Sequence, residues 1–230
     1  MNLLAMETSS RMLSVALWRD GALLQRGAEL PNAGSERLLP WVSELLAEAG
    51  MAVGQIDAIA FGAGPGGFVG LRLACGVAQG LALGLDVPVL GIGTFEALAL
   101  EAGGERVYGC IDARMNEIYV AACALHDGVP VSVIEPRVCP PGDAPLPPGG
   151  GWLGAGNGFA VHGAALRGCL GAALAAVHPD VWPTAAAVAR LAAPRFARGE
   201  GLDAAMAAPL YVRDKVAFTT AERLARGGAR

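Results

Sequence analysis

The sequence predicts an α/β protein of two similarly built lobes, on the basis of three features. Segments with the order strand, strand, strand, helix, strand, helix run from residue 2 to about residue 85, followed by a further strand and helix, and a similar order restarts at Val107. The first half also contains a short apolar strand that leads through a glycine-rich turn into a helix. At 230 residues the chain is long enough for two modest lobes. The halves share no residue pattern, so the repeat is one of architecture.

The first half begins with a predicted meander of three strands. The apolar, partly alternating segments that form it cover residues 2–8, 12–18 and 22–30. Ser35 is the predicted N-cap of an amphipathic helix that ends at Gly50. The apolar positions of that helix recur at helical spacing, namely Leu38, Leu39, Val42, Leu45, Leu46 and Ala49.

The rest of the first half continues the α/β pattern. A strand over 57–61 leads through the glycine-rich turn into an apolar helix that ends near Leu85. A buried strand over 87–91 is followed by a helix that Thr94 is expected to cap. These elements complete a first lobe, predicted over residues 1–104.

The second half repeats this order with a loop in the middle. The predicted strands cover 107–112, 117–124, 129–138 and 152–156, and the predicted helices cover 159–168 and 185–197. Residues 136–151 hold six prolines and four glycines, which predicts a loop. The predicted second lobe spans residues 105–208, and the C-terminal segment 209–230 is expected to pack back on the first lobe.

Composition argues against several classes of protein. The formal charge of −4 gives no global field that would attract a nucleic-acid backbone. Five cysteines without a C-x-x-C pair favour neither a disulfide framework nor a zinc site, and the three histidines lack an i, i+4 partner. The apolar run 73–85 is shorter than the roughly 20 residues of a membrane span, and Glu7 interrupts the N-terminal apolar segment. We therefore expect no metal, no cofactor and no membrane contact, and a location in the cytoplasm.

The glycine-rich turn, residues 62–67, has the outward form of a phosphate-binding loop. It contains G-x-G-x-x-G, and Asp86 follows about 20 residues later, where a dinucleotide-binding fold would need an acid. That acid should end a strand, whereas Asp86 precedes one, and Pro65 lies inside the turn. A P-loop would need a lysine after the glycines, and Lys215 is the only lysine in the chain. The turn therefore matches neither nucleotide-binding motif well.

The helix after this turn carries glycines at Gly76, Gly80 and Gly84, one turn apart. Each glycine inside a helix costs about 1 kcal/mol relative to alanine, so three in register indicate the close approach of another backbone. Either this glycine stripe packs on the chain's own sheet, or it receives a partner. The helix is apolar on nearly all sides, which leaves surface for a partner.

Six blocks of residues, in order from one end of the chain to the other, are similar to a known family. They are A-M-E-T-S-S (5–10), S-E-R-L-L-P (35–40), G-P-G-G-F-V-G-L-R (64–72), G-V-A-Q-G-L-A-L-G (76–84), I-D-A-R-M-N-E-I-Y (111–119) and P-L-Y-V-R (209–213). Together they resemble the TsaB family, formerly called YeaZ. The resemblance implies the two-lobed fold of actin, Hsp70 and sugar kinases (the ASKHA fold), in which each lobe is a mixed sheet with helices. It also implies a role in the synthesis of threonylcarbamoyladenosine in tRNAs that read codons beginning with A.

The resemblance further implies a subunit without catalytic activity of its own. In that family a related TsaD subunit holds the metal and transfers the threonylcarbamoyl group, and TsaE is an ATPase that joins the pair. The first-lobe helices would pack on the equivalent helices of a TsaD-like subunit, the chain alone would form a homodimer, and tRNA would be contacted through the complex. The residues expected at the partner interface are Leu38, Val42, Leu45, Leu71, Arg72, Gly76, Gly80 and Gly84.

Several further residues match the family's motifs and are expected to be structural or interface residues. They are Gly64, Pro65, Gly66, Phe68, Arg72, Asp112, Arg114 and Glu117. An ion pair between Asp112 and Arg114 would explain the cluster of Asp112, Arg114 and Glu117 equally well.

Two departures from the family pattern make nucleotide binding by the chain's own cleft less expected. Glu7-Thr8 stands where the family has Asp-Thr, and Gly67 and Val69 replace two hydroxyl residues. If a nucleotide did bind there, its contacts would come from Glu7, Thr8, Gly64 and Gly66.

Two other functions stay open at this point. A small-molecule kinase or ATPase of the same superfamily is the main alternative, because of the two-lobe pattern and the glycine-rich turn. A self-contained metalloprotease is a weaker one. The basic cluster near the C-terminus, which begins at Arg213, is either a solvated tail or a contact for tRNA.

Overall fold

The computed structural model describes residues 1–30 and 34–213 of the chain. Its first lobe contains β1 (Asn2–Glu7), β2 (Met12–Arg19), β3 (Ala22–Glu29), α1 (Gly34–Glu48), β4 (Ala58–Gly64), α2 (Phe68–Leu85), β5 (Val89–Gly93) and α3 (Thr94–Ala102). The strand order is β3-β2-β1-β4-β5. The first three strands pair antiparallel, and β4 and β5 continue the sheet in parallel from β1.

The second lobe repeats this plan. It contains β6 (Arg106–Arg114), β7 (Glu117–His126), β8 (Val129–Cys139), β9 (Trp152–Ala155), α4 (Gly158–Leu170) and β10 (Leu174–His178), and α5 (Ala185–Ala197) follows. Its strand order is β8-β7-β6-β9-β10, which is the order of the first sheet element for element. The predicted fold class, two similar lobes with a mixed sheet in each, is therefore confirmed.

A loop takes the place in the second lobe that α1 has in the first. It joins β8 to β9 and covers the core with ordered contacts. The buried Tyr108 donates a hydrogen bond from its hydroxyl to the carbonyl oxygen of Pro145 at 3.0 Å, and the indole of the buried Trp152 donates to that of Pro148 at 3.1 Å. The prediction of a loop is confirmed, although the strand before it runs on to Cys139.

The last helix of each half packs on the sheet of the other lobe. Phe95 of α3 shares a buried cluster with Val107 of the second sheet, and Val188 of α5 shares one with Leu3 of the first sheet. α5 lies across β1 and β2 through its alanine-rich face. α5 (Ala185–Ala197), which lies within the predicted second lobe 105–208, therefore packs on the first sheet.

Four local predictions need correction. Ser35 is not the N-cap of α1, because the helix begins at Gly34 and Ser35 lies inside it. The strand β10 was not predicted, and β4 runs on to Gly64 instead of ending at residue 61. Thr94 does not cap α3. The N-cap is Gly93, whose N–H donates to Oε2 of Glu96 at 3.2 Å, while Thr94 is buried as the first residue of the helix.

Candidate functional site

The glycine-rich turn between β4 and α2 encloses the loop that joins β1 to β2. A Cβ atom at Gly66 would lie 2.5 Å from the carbonyl oxygen of Ser9, and a Cβ atom at Gly70 would overlap that of Thr8. The N–H of Gly67 donates to the Ser9 carbonyl oxygen at 2.7 Å. The chain's own backbone thus fills the space in which a phosphate-binding turn would hold a phosphate.

Glu7, at the end of β1, has a fully buried carboxyl group. Its Oε1 accepts a hydrogen bond from the N–H of Ser9 at 2.5 Å, whereas Oε2 is buried without a partner. Burial raises the pKa of this carboxyl above its ordinary value, against the opposing effect of hydrogen bonds from Ser9 and Thr8. A Cβ atom at Gly62 would overlap Oε2, so the glycine there makes room for the glutamate.

The other predicted nucleotide contacts also serve internal packing. The hydroxyl of Thr8 donates to the carbonyl oxygen of Gly70 at 2.6 Å. Gly64 has φ of 120°, and a Cβ atom there would lie 2.9 Å from the carbonyl oxygen of Leu210. Within residues 1–30 and 34–213, no three His, Cys, Asp or Glu side chains form a group that could hold a metal ion.

The glycine stripe of α2 faces outward. Ala74, Ala78 and Ala82 are buried against the first lobe, whereas Cβ atoms added at Gly76, Gly80 or Gly84 would meet nothing within 4 Å. The stripe therefore does not pack on the chain's own sheet. Apolar side chains flank it at both ends, since Val69 is 77% exposed and Leu83 is 73% exposed. We call this surface the α2 face, defined by Val69, Arg72, Gly76, Gly80, Leu83 and Gly84.

Four of the residues predicted at a partner interface are in the core instead. Leu38, Val42 and Leu45 of α1 and Leu71 of α2 are all buried in the first lobe. The prediction that these side chains contact a partner is wrong, because the apolar side of an amphipathic helix packs on the core of its own lobe. The outward side of α1 carries Leu39, which is exposed.

The apolar character of α2 exceeds what its own lobe covers. The helix has 18 residues and a mean hydropathy of 1.6, which by length and composition is enough to cross a membrane. Core helices of globular proteins also reach these values. Only 28% of its residues are buried, so much apolar surface is left uncovered within the chain.

The N-terminal end of α2 carries a stacked cluster. The guanidinium carbon of Arg72 lies 3.5 Å from the ring centroid of Phe68, and Nε of Arg72 donates to the hydroxyl of Tyr211 at 2.9 Å. Both rings are half-exposed. The motif residues Phe68 and Arg72 thus form one surface with Tyr211, whose role the sequence did not indicate.

The second lobe contributes a charged cluster at the β6–β7 turn. Asp112 pairs with Arg114 at 3.2 Å, which was one of two alternatives for this cluster, and its Oδ1 lies 3.3 Å from Nε2 of His162. Glu117 is not part of this pair. It binds Arg213 instead, at 2.5 Å.

The segment 207–213 joins these two clusters, and we call it the strap. The N–H of Leu210 donates to the carbonyl oxygen of Ala63 in the first lobe at 2.7 Å. Arg213 donates to the carbonyl oxygen of Ala113 in the second lobe at 3.1 Å. The strap thus contacts both lobes. Lys215 and the later basic residues lie outside the described residues.

Between the lobes lies a cleft of about 1000 Å³, which we call the interlobe cleft. Its walls are the β1–β2 loop, the first turns of α2, the β6–β7 turn and the strap, that is residues 8–11, 65–73, 111–115 and 210–213. Tyr119, Asn157 and Trp182 also line it. The cleft is large enough for a ligand the size of a nucleotide.

Comparison with known proteins decides the family. A family model described as "TsaD: tRNA N6-adenosine threonylcarbamoyltransferase" matches residues 31–150. The "tRNA threonylcarbamoyladenosine biosynthesis protein TsaB" of Escherichia coli K12 is 33% identical over 235 residues, which cover 95% of this chain and 97% of that protein. The chain belongs to the TsaB family. The TsaB protein of Haemophilus influenzae is 43% identical over 123 residues, about half of each chain (52%).

Solved structures of the TsaB family have the same fold. A crystal structure from Pseudomonas aeruginosa, described as an uncharacterized protein with similarity to peptidase YEAZ, has a TM-score of 0.85 and 39% identity over 92% of this chain and 99% of its own. A structure described as YeaZ from Pseudomonas aeruginosa has a TM-score of 0.85 and 40% identity, over 91% of this chain and 99% of its own. The two-lobed architecture is therefore the one that TsaB-family proteins have in crystals.

Proposed function

We propose that this chain is a non-catalytic subunit for the synthesis of threonylcarbamoyladenosine in tRNA, and that it acts by holding a TsaD-like catalytic subunit on its α2 face. The observation that carries the proposal is the outward glycine stripe at Gly76, Gly80 and Gly84. We infer the biosynthetic reaction from family membership, because the relatives are named as tRNA threonylcarbamoyladenosine biosynthesis proteins.

The geometry of the α2 face suits a helix from a partner. Without side chains at the three glycines, a second helix can approach more closely than the usual 8–10 Å between helix axes. Arg72, flanked by Phe68 and Tyr211, lies at one end of the face, and arginine and tyrosine are enriched among the residues that dominate binding energy.

Shared sequence features support a TsaD-like subunit as the partner. Residues 31–150 match the model of the transferase TsaD, and this range includes all of α2. Two chains with the same fold here can pair through equivalent helices in a nearly symmetric way, and two copies of this chain can do the same. We therefore propose a complex with the TsaD-like subunit, a homodimer when the chain is alone, and TsaE as the ATPase of the assembly.

The proposal of a non-catalytic subunit rests on the turn and on Glu7. The turn encloses the backbone of Ser9, and the carboxyl group of Glu7 is buried against Gly62. These internal contacts support the proposal that the turn and the carboxyl group serve packing and not phosphate binding. A cytoplasmic location follows from the tRNA substrate, and tRNA is expected to bind mainly to the assembled complex.

Co-purification with a TsaD homologue tests the proposal. Gly80→Leu adds a side chain to the α2 face, whereas Gly168→Leu adds one to the exposed side of α4, where a Cβ atom also meets nothing within 4 Å. Leucine favours helix over glycine at both sites, so neither variant should lose its fold. We expect Gly80→Leu to lose the partner and Gly168→Leu to keep it. Undiminished binding of Gly80→Leu would rule out this face.

The main alternative, a small-molecule kinase or ATPase, is tested by calorimetric titration of the isolated chain with ATP and magnesium. Micromolar binding together with turnover would replace the scaffold proposal. We expect neither.

A further inference from the structure

The interlobe cleft has a composition unlike that of the chain as a whole. Among residues 1–30 and 34–213, four arginines line it, one on each of its four walls, whereas Asp112 is the only acidic residue in its lining. The arginines are Arg11, Arg72, Arg114 and Arg213, and four aromatic side chains, Phe68, Tyr119, Trp182 and Tyr211, lie among them. The chain carries a net charge of −4, so this cleft is a local concentration of cations and rings.

Three of the four arginines are available to a ligand. Arg72 has no carboxylate partner among the described residues. The pair of Arg11 with Glu29 is exposed on both sides, and such pairs contribute at most about 1 kcal/mol, so a phosphate can take over the Arg11 guanidinium at little cost. The side chain of Arg114 is 82% exposed although its partner Asp112 is buried, so this arginine can bind a phosphate through its other N–H groups while it keeps the pair. Arg213 is largely buried in the strap and serves the structure.

The turn that presents Arg114 is strained. Arg114, Met115 and Asn116 all have positive φ, at 62°, 56° and 57°, and none of them is glycine. Left-handed residues of this kind cost about 1 kcal/mol or more each and persist only where the surroundings hold them. Asp112 provides that support by accepting from the N–H of Arg114 at 3.1 Å. The turn thus places the backbone of Arg114 at the rim of the cleft, with its side chain 82% exposed.

We propose that the interlobe cleft binds a short unpaired segment of RNA, with bases against its aromatic rings and phosphates on Arg11, Arg72 and Arg114. The three arginines lie on different walls of the cleft. This spacing suits an RNA strand, whose phosphates are spread along the backbone with one per nucleotide. A free nucleotide, in contrast, needs its phosphates held in one place, and the glycine-rich turn is already filled. The identity of the RNA as the tRNA substrate rests on the proposed function, whereas the chemistry rests on the cleft alone.

Fluorescence anisotropy tests this with a labelled, unstructured RNA octanucleotide, titrated with the full chain and with its complex with a TsaD homologue. Neutralising about three phosphates on single-stranded RNA predicts a slope of about −2 for log K against log salt. Arg114→Gln should reduce the slope by about 0.7. Phe68→Leu, which keeps an apolar side chain without a ring, should weaken binding about tenfold. The matched control Arg190→Gln changes an exposed arginine on α5 away from the cleft and should leave affinity and slope unchanged.

Three results would overturn the proposal. They are no RNA binding by the chain or the complex, equal effects of Arg114→Gln and Arg190→Gln, and displacement of the RNA by ATP that binds more tightly. Failure of the RNA proposal can be distinguished from failure of the proposed scaffold function. Gly80→Leu should leave the RNA affinity of the isolated chain unchanged, and Arg114→Gln should leave co-purification with the TsaD homologue unchanged.

Discussion

Replacement of Glu7 by glutamine should change how the stability of the chain depends on pH. Burial holds the pKa of this carboxyl above its ordinary value of 4.5 in the folded state, whereas the unfolded chain ionises near that value. Below the unfolded-state pKa both states are protonated, and burial carries no ionic penalty. Above it the unfolded state loses its proton first, so the stability of the natural chain falls as the pH rises towards the folded-state pKa.

The expected size of the effect follows from one proton. Between the two pKa values, the stability of the natural chain should fall relative to that of Glu7→Gln by about 1.4 kcal/mol per pH unit. Glutamine keeps the acceptor that binds the N–H of Ser9 but never ionises. Any fixed cost of its amide group shifts the whole curve and leaves this slope untouched.

Urea unfolding followed by tryptophan fluorescence at pH 5, 6 and 7 measures the slope, since the chain has four tryptophans. Glu105→Gln is the matched control, because Glu105 is exposed, and its stability should run parallel to that of the natural chain. Parallel curves for Glu7→Gln as well would mean that Glu7 is ionised in the folded state, and the reasoning from burial would fail.

Three further changes give separate tests of the fold. Gly62→Ala would place a Cβ atom in the space of the Glu7 carboxyl group and should cost about 3 kcal/mol in urea unfolding, whereas Gly54→Ala, in open space, should stay within about 0.5 kcal/mol. Arg213→Gln should lower the free energy of unfolding by about 2 kcal/mol, because the strap loses its charged hydrogen bonds to the second lobe. An unchanged thermal midpoint would show that these bonds do not stabilise the fold. Thr184→Ala removes the N-cap of α5 and should lower the free energy of unfolding in urea by about 1 kcal/mol. Thr184→Ser keeps the hydroxyl group and should retain most of that stability.

Local patterns in the sequence were enough to predict most of the elements. The alternation in β1 to β3 and the helical spacing in α1 are properties of neighbouring residues, and the structure has them within a few positions. β10 was missed because Leu174–His178 is short and partly alanine, and alanine does not favour strands. The place of α5 could not be predicted, since nothing in an alanine-rich helix specifies which of two sheets it covers.

The site was harder to predict because its contacts join distant parts of the chain. Arg213 and Glu117 are 96 residues apart, and Tyr211 and Arg72 are 139 residues apart. Periodicity shows which side of a helix is apolar but not how much of that side its own lobe covers. For α1 the lobe covers Leu38, Val42 and Leu45, the positions predicted at the interface, whereas for α2 it leaves the glycine stripe open. The stripe was the sequence feature that correctly indicated an uncovered surface.

The most direct test of the proposed role is the formation of threonylcarbamoyladenosine in tRNA by a reconstituted system. The system would contain tRNA, ATP, an activated donor of the threonylcarbamoyl group, and TsaD and TsaE homologues. This chain would be added in limiting amounts as the natural protein, Gly80→Arg or Gly168→Arg. If the chain works by holding its partner on the α2 face, Gly80→Arg should reduce product formation by about tenfold or more, the effect of losing one central interface contact. Gly168→Arg should match the natural chain. Full product formation with Gly80→Arg would contradict the account.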